Sequence, residues 1–133
     1  MPSGLCAGWA IRSRAIIKNW GLTRNWNPVF LPSVAQMQSV MLRTDFAGFQ
    51  FELERVHAGV HNSVGGQMGQ SNSPADPLFR LHHSNIDRVW AQWQATPNNA
   101  NPTNTNETLK PSPIIKGKVQ DYLNIGALNY SYA

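Results

Sequence analysis

Two stretches decide the fold that this sequence predicts: residues 45–62, DFAGFQFELERVHAGVHN, and residues 77–95, PLFRLHHSNIDRVWAQWQA. In both, side chains suited to burial recur every three or four residues, which is the pattern of one face of an amphipathic helix. These positions are Phe46, Phe49, Leu53, Val56 and Val60 in the first stretch, and Phe79, His83, Ile86 and Trp90 in the second. The connection between the stretches is short and rich in glycine, so we predict an antiparallel helix pair.

Shorter elements are predicted around this pair. Ser33 and Gln36 have the spacing of a capping box, which predicts a helix over about residues 33–43. Residues 65–75, GGQMGQSNSPA, form a loop, and a turn or short helix is predicted near residues 119–123. The expected fold is therefore mainly α, with long irregular connections.

The domain organisation is predicted to be simple. We expect one domain over residues 1–133, with its core in residues 31–95. Residues 96–113 form a connection rich in Asn and Pro, and residues 114–133 form a tail. Near the start of the chain, residues 12–20 are compatible with a short helix.

Composition excludes several classes of protein. Apolar residues make up 41% of the 133 residues, which allows a packed core, and the net charge of +4 is spread without a basic cluster. We therefore expect no nucleic-acid partner. A single cysteine, Cys6, excludes an internal disulfide framework and a cysteine-based zinc site. The sequence has neither an apolar stretch that would span a membrane nor an evident signal peptide, so we expect a cytoplasmic or otherwise soluble protein.

All four histidines lie between residues 57 and 83. His57 and His61 are four residues apart, so both imidazoles project from one face of the first predicted helix. His82 and His83 belong to the second helix, and an antiparallel arrangement can bring His83 over the first pair. Three neutral imidazoles suit zinc, copper, iron or nickel. Ala58 follows the first histidine where zinc proteases have a glutamate, which leaves other hydrolytic zinc and oxygen-handling copper as the options.

A long, ordered motif resembles the second copper-binding half of the tyrosinase, catechol oxidase and hemocyanin family. It consists of LERVHAGVH at 53–61, VGGQM at 64–68 and SPADPLFRLHHSNIDRVW at 73–90. Flanking segments at 31–46 and 119–132 are similar to bacterial tyrosinases. The resemblance implies half of a four-helix bundle and a type 3 copper oxidoreductase that uses O2 to oxidise phenols or catechols to quinones.

The same resemblance implies roles for individual residues. His57, His61 and His83 would bind one copper ion, with His82 as a neighbour. Glu54 would hold a water near copper, although a solvated helix glutamate fits the sequence equally well. Phe79 would pack against the imidazoles, and Asp87 would orient His83 or Arg88 unless it forms an ordinary surface salt bridge. The substrate would enter by the 65–75 loop; the residues expected along its path are Ala58, Asn62 and Met68.

The sequence supplies only one of the family's two copper sites. Residues 1–56 contain no histidine, so we expect the chain to be a fragment of a longer gene product, one piece of a two-chain protein, or a half that completes a dinuclear centre as a homodimer. An isolated helix pair would also leave the stripe of Phe46, Phe49, Leu53 and Val56 partly uncovered. Two alternatives remain at this stage: a mononuclear three-histidine metal site, and a non-catalytic module that binds copper or oxygen.

Overall fold

The computed structural model describes residues 21–97, 99–110 and 117–132, and this part of the chain is mainly helical. Its α-helices are α1 (Val34–Met41), α2 (Phe46–Val64) and α3 (Pro77–Gln94). Short 3-10 helices lie at Pro28–Phe30, Gly66–Gly69, Ser73–Ala75 and Val119–Tyr122. These residues contain no β-strand, only an isolated bridge between Thr108 and Lys118. The prediction of a mainly α fold is confirmed. Searched over the same residues, none of the helices has the length and apolar character that crossing a membrane requires.

Polar side chains set where the three helices begin. Ser33 and Gln36 form the predicted capping box of α1, with bonds of 3.2 and 2.7 Å. The Asp45 carboxylate accepts from the backbone N–H of Gly48 at the start of α2, and Asp76 does the same for Leu78 at the start of α3. Each cap satisfies a backbone donor that the helix itself leaves unpaired.

The observed elements differ from the predicted ones mainly at their ends. Helix α2 continues to Val64 because the first residue with a positive φ is Gly65, at 62°. The loop at 65–75 contains two 3-10 turns rather than being wholly irregular. The predicted turn near 119–123 is a 3-10 helix. The helix suggested for residues 12–20 lies outside the described residues.

Helices α2 and α3 run antiparallel and enclose the core with α1. Phe49 near the start of α2 stacks on Trp93 near the end of α3, with ring centroids 4.1 Å apart. Farther along α2, His57 meets His83, which precedes Trp93 by almost three turns. The buried core residues are Val40, Phe49, Leu53, Val56, Val89 and Trp93.

The expectation that the apolar stripe of α2 would be partly uncovered is wrong for Phe49, Leu53 and Val56, whereas Phe46 at the start of the helix is only partly buried. Phe49 is 1% exposed, and Leu53 and Val56 are also buried. They are covered within the chain, because α1 contributes Val40 and α3 contributes Trp93 to the same cluster. The sequence pattern did not reveal that α1 would pack on this face.

The segment before α1 lies along the far end of α2. The backbone N–H groups of Asn25 and Asn27 donate to the carbonyls of Val64 and Ser63, at 2.9 and 2.7 Å. The backbone also approaches Gly66 so closely that a Cβ there would stand 1.9 Å from the Thr23 carbonyl oxygen. Gly66 therefore cannot be replaced by a residue with a side chain at this turn, which leads from α2 toward α3.

Candidate metal centre

Helix α2 places two imidazoles one turn apart on a single face. The Nε2 atoms of His57 and His61 lie 3.0 Å from each other. The rings meet edge to face, with centroids 4.8 Å apart and planes at 71°. Both side chains are partly buried, so the pair faces the space between the helices rather than bulk solvent.

Helix α3 brings a third imidazole to the same point. The Nε2 atom of His83 lies 3.1 Å from that of His57. The Asp76 cap and Pro77 in the first turn fix where α3 begins, and His83 follows two turns later. The Nε2 atom of His57 thus lies about 3 Å from the Nε2 atoms of both His61 and His83.

The other ring nitrogen of each of these histidines is engaged by an oxygen acceptor. Nδ1 of His57 lies 3.0 Å from the Glu54 carboxylate, Nδ1 of His61 lies 2.6 Å from the Met68 carbonyl, and Nδ1 of His83 lies 2.7 Å from the Phe79 carbonyl. An acceptor at Nδ1 selects the tautomer that has its proton there. Each Nε2 then presents a lone pair.

The Nε2 lone pair of His57 faces those of His61 and His83 at about 3 Å, and lone pairs at this distance repel unless a cation lies between them. Imidazole nitrogens bound to one ion at about 2.0–2.1 Å, with angles near 95–110°, lie about 3.0–3.4 Å apart. The observed 3.0 and 3.1 Å separations agree with this spacing. The donor set therefore fits a transition-metal ion that prefers neutral nitrogen ligands.

His82 is the fourth member of the cluster and has different surroundings. Ligand atoms of His57, His61 and His82 lie within 4.8 Å of one another, so these three also form a possible metal-binding group. However, Nε2 of His82 lies 3.2 Å from the backbone carbonyl of His57 and serves as a donor there. The 3.1 Å separation between Nε2 of His83 and Nε2 of His57, together with the engagement of His82 Nε2 by a carbonyl, favours His83 as the third member of the group.

The two histidines of α3 are held in the neutral form. Burial lowers the pKa of His82 to about 4, and the neighbouring imidazoles act in the same direction. Burial also lowers the pKa of His83 below its usual value, again with help from His57 and His61. Both rings are therefore uncharged near neutral pH, which metal binding requires.

Glu54, Phe79 and Asp87 occupy different positions relative to the cluster. The Glu54 carboxylate is 66% exposed and contacts His57 at Nδ1, on the side of the ring away from the convergence point. The Phe79 ring stacks on His83, with centroids 3.8 Å apart. The Asp87 carboxylate accepts hydrogen bonds from two tyrosines of the C-terminal tail.

The three residues expected along a substrate path, Ala58, Asn62 and Met68, differ in their exposure to solvent. Ala58 and Asn62 are exposed on α2, beside the two histidines that they follow. Met68 has a side chain that is only 1% exposed, so it contributes its carbonyl to His61 rather than a surface to an incoming molecule.

Several contacts around the cluster were not evident from the sequence. Backbone carbonyls have no residue signature, so the roles of Met68 and Phe79 as acceptors depend on the turns that aim them. The bidentate pair of Arg24 and Asp76, at 2.8 and 3.0 Å, joins the segment before α1 to the start of α3. Asp76 precedes Pro77, a sequence typical of a helix start, but nothing in the sequence marks Arg24 as its partner.

The chain matches the model of a known protein family. The model described as the common central domain of tyrosinase matches residues 12–96, which is more than half of the chain. This region includes both helices of the pair and all four histidines.

Curated relatives fall into two groups. A tyrosinase from Streptomyces antibioticus is 39% identical over 104 residues, which cover 61% of this chain and 38% of that protein. A G-type hemocyanin from Enteroctopus dofleini is 45% identical over 60 residues, covering 41% of this chain and 2% of that protein. Unit G of a hemocyanin β-C chain from Helix pomatia is 31% identical over 120 residues, covering 73% of this chain and 30% of that protein.

The chain thus spans well under half the length of these relatives. The extent of the family match and the three-histidine group nevertheless lead to one conclusion: the chain belongs to the tyrosinase family of type 3 copper proteins, whose cofactor is copper.

Proposed function

We propose that the Nε2 atoms of His57, His61 and His83 bind one copper ion per chain. The observation that carries this assignment is the convergence of three lone pairs at 3.0 and 3.1 Å, each with its Nδ1 occupied elsewhere. Neutral imidazoles suit copper, and the family is a copper family. His82 is a buried neighbour that donates to the His57 carbonyl.

We further propose an oxidoreductase function on phenols or catechols. Bound copper would supply the redox chemistry by which O2 oxidises such a substrate to a quinone. The chain's own residues prepare the site: the Met68 and Phe79 carbonyls fix two imidazoles, and the Phe79 ring keeps water from one face of His83. Glu54 orients His57 through Nδ1 and increases its basicity as a ligand.

One chain has one set of three histidines, whereas the family resemblance implies two sets around a dinuclear centre. We propose that a second copy of this chain supplies the other set in a twofold dimer, since a self-complementary surface closes by symmetry. An apolar surface adjoins the cluster: Trp26, Leu31 and Leu81 are exposed and line a cleft of about 440 Å³ that reaches His82. Contiguous exposed apolar surface is typical of interfaces.

Metal analysis of four single alanine variants tests the ligand assignment. His57→Ala, His61→Ala and His83→Ala are each expected to lose most of the bound copper, because ligand number and geometry set selectivity. His82→Ala is the matched control and should retain about one copper per chain. Full copper retention by His83→Ala would contradict the assignment.

Light scattering of the copper-loaded protein tests the dimer. The expected result is a dimer with two copper ions. A copper-loaded monomer with full activity would refute it, and activity that appears only with a different chain would identify a heterologous partner instead.

The side chain at position 58 leads us to predict which substrates the protein prefers. Many tyrosinases have Asn immediately after the first histidine of this site, where it is thought to help deprotonate a phenol; the Ala58 methyl group can neither donate nor accept. A phenol with a pKa near ~10 requires a base to bind as phenolate, whereas a catechol loses its proton more easily. Since one positioned base is worth roughly 10²- to 10⁴-fold, turnover of L-DOPA should greatly exceed that of L-tyrosine.

The matched variant for this prediction is Ala58→Asn, which should increase the L-tyrosine rate more than the L-DOPA rate on the same copper-loaded preparation. Equal rates on the two substrates in the unmodified protein would show that Ala58 does not set this preference.

A second candidate function follows from the hemocyanin relatives, which show that some family members are not enzymes. The chain would then bind oxygen without turnover. The two candidates separate by product analysis: quinone formation by a copper-loaded dimer supports the oxidoreductase, and reversible oxygen uptake without product supports the binding module.

A further inference from the structure

The end of the described chain returns to helix α3 and bonds to it. The Tyr130 hydroxyl donates to the Asp87 carboxylate at 2.8 Å, and the Tyr132 hydroxyl donates to the same oxygen. The Tyr132 hydroxyl also lies 3.2 Å from the Ser84 carbonyl oxygen. The two tyrosine rings meet edge to face at 5.7 Å. One carboxylate of α3 therefore receives two hydrogen bonds from a segment more than 40 residues farther along the chain.

These bonds act on the turn that carries His83. Ser84 directly follows His83, and Asp87 lies four residues after His83, so all three belong to about one turn of α3. The two tyrosines and this turn also enclose a cleft of about 510 Å³, whose walls include Phe79 and His83. The tail is thus in place beside the third histidine of the cluster.

The phenols are suited to act as permanent donors. The hydrogen bond to Asp87 raises the pKa of Tyr132 to about 12, with a further contribution from burial. Burial and the same carboxylate raise the pKa of Tyr130. Both hydroxyls stay protonated at neutral pH. The nearby Arg88 bonds to Asn85, so the Asp87 carboxylate is free to receive both tyrosines.

His83 is the member of the cluster whose position depends most on packing between helices. His57 and His61 share α2, so helix geometry alone fixes their spacing. His83 reaches them from another helix, and ligand groups must be held within roughly 0.5 Å for productive geometry. A contact that holds its turn of α3 in register with α2 would therefore affect how well three nitrogens meet.

We propose that Tyr130 and Tyr132 are positioning residues that fix the turn of α3 carrying His83 and thereby set the copper affinity of the three-histidine site. As far as it concerns copper, this inference rests on the function proposed above. Neither tyrosine touches the histidine nitrogens; they act through the α3 backbone and Asp87.

A second contact between the tail and α3, at Leu123, provides a matched control. Gln94 Nε2 donates to the Leu123 carbonyl at 3.2 Å and to Asn101 at 2.7 Å. Gln94 is the last residue of α3, about three turns beyond His83. Gln94→Ala therefore weakens attachment of the tail without touching the turn that carries His83.

The experiment compares the full chain with the Tyr130→Phe/Tyr132→Phe double variant and with Gln94→Ala. Copper affinity is measured by competition with a chelator, and the ligand geometry by the EPR spectrum of bound Cu(II). In the metal-free chain, hydrogen exchange reports on the amides of residues 84–88. We expect the double variant to bind copper about three- to tenfold more weakly, less than the roughly 10- to 100-fold cost of removing a direct partner of a ligand. Its EPR spectrum should change and its exchange should accelerate, while Gln94→Ala resembles the unmodified chain.

Unchanged affinity, spectrum and exchange in the double variant would overturn the inference, as would equal changes in Gln94→Ala. If the double variant is too unstable to measure, Tyr132→Phe alone serves the same comparison. Failure of the unmodified chain to bind copper would count against the proposed function, whereas the exchange rates in the metal-free chain would still decide whether the tyrosines fix this turn.

Discussion

The two ends of the α2–α3 pair use the same antiparallel geometry for opposite purposes. At one end, Phe49 stacks on Trp93, and the Trp93 indole N–H donates to the Arg43 carbonyl at 2.6 Å. At the other end, His57 meets His83 with nitrogen facing nitrogen at 3.1 Å. The first contact is complete within the chain, whereas the second is the contact at which we propose that copper binds.

This difference separates stability from function along a single helix pair. The aromatic end removes apolar surface from water and leaves no polar group of Trp93 unpaired, so it stabilises the fold. The histidine end brings lone pairs together at a cost, and that cost is recovered when a metal binds the folded state. The predictions below test how far the two ends are independent.

The largest expected effect is at the aromatic end. Phe49→Ala should lower the free energy of unfolding by about 3–5 kcal/mol, because a fully buried ring that stacks on Trp93 is lost and a cavity remains. Urea unfolding of the metal-free chain measures this. Phe51→Ala is the matched control, because Phe51 lies on the same helix and is 71% exposed. This substitution should change the free energy of unfolding by no more than about 0.5 kcal/mol. Equal effects of the two substitutions would contradict the described core.

The second prediction compares the caps at the two ends. Asp76→Ala should lower the free energy of unfolding by about 2–4 kcal/mol, because the side chain is fully buried and pairs with Arg24 as well as capping α3. Asp45→Ala removes only an exposed cap of α2 and should cost about 1 kcal/mol. Thermal unfolding of both variants checks the order, and a larger loss at Asp45 would show that the Arg24 pair adds nothing.

The smallest effect is a pH dependence specific to the histidine end. His82 has a pKa of about 4 in the folded chain against 6.5 as a model value, so between these values the unfolded chain binds a proton that the folded chain does not. The free energy of unfolding should therefore fall, by about 2–3 kcal/mol, as pH decreases from 6.5 to 4. Unfolding of the metal-free chain at a series of pH values measures this fall.

His82→Gln provides the control for that series, since it removes the titrating group and retains a donor for the His57 carbonyl. Its dependence on pH over the same range should be weaker. A slope identical to that of the unmodified chain would assign the effect to other groups.

Much of the candidate site was predictable because it depends on local periodicity. Spacing by four residues places His57 and His61 on one face of a helix whatever surrounds it. The capping box of Ser33 and Gln36 was also recognisable, since it acts within three residues. The predicted single domain and its bounds remain predictions.

Other parts were not predictable because they depend on contacts between distant residues. No local spacing in the sequence predicts that α1 covers the stripe of α2. The same holds for the Met68 and Phe79 carbonyls that contact the histidines, and for the ion pair of Arg24 and Asp76. Glu54 was expected near a copper-bound water, and only the side-chain geometry placed it at Nδ1 of His57.

The sequence by itself determined the helices, the pairing of His57 with His61 and the membership of the tyrosinase family, because all three are encoded in residue order and spacing. The family resemblance implied His83 rather than His82 as the third member of the cluster, and only the tertiary structure supplies a physical reason for that choice. His82 and His83 are adjacent in sequence, yet their side chains leave the helix about 100° apart. The packing of α3 against α2 directs Nε2 of His83 toward Nε2 of His57, and Nε2 of His82 toward the His57 carbonyl.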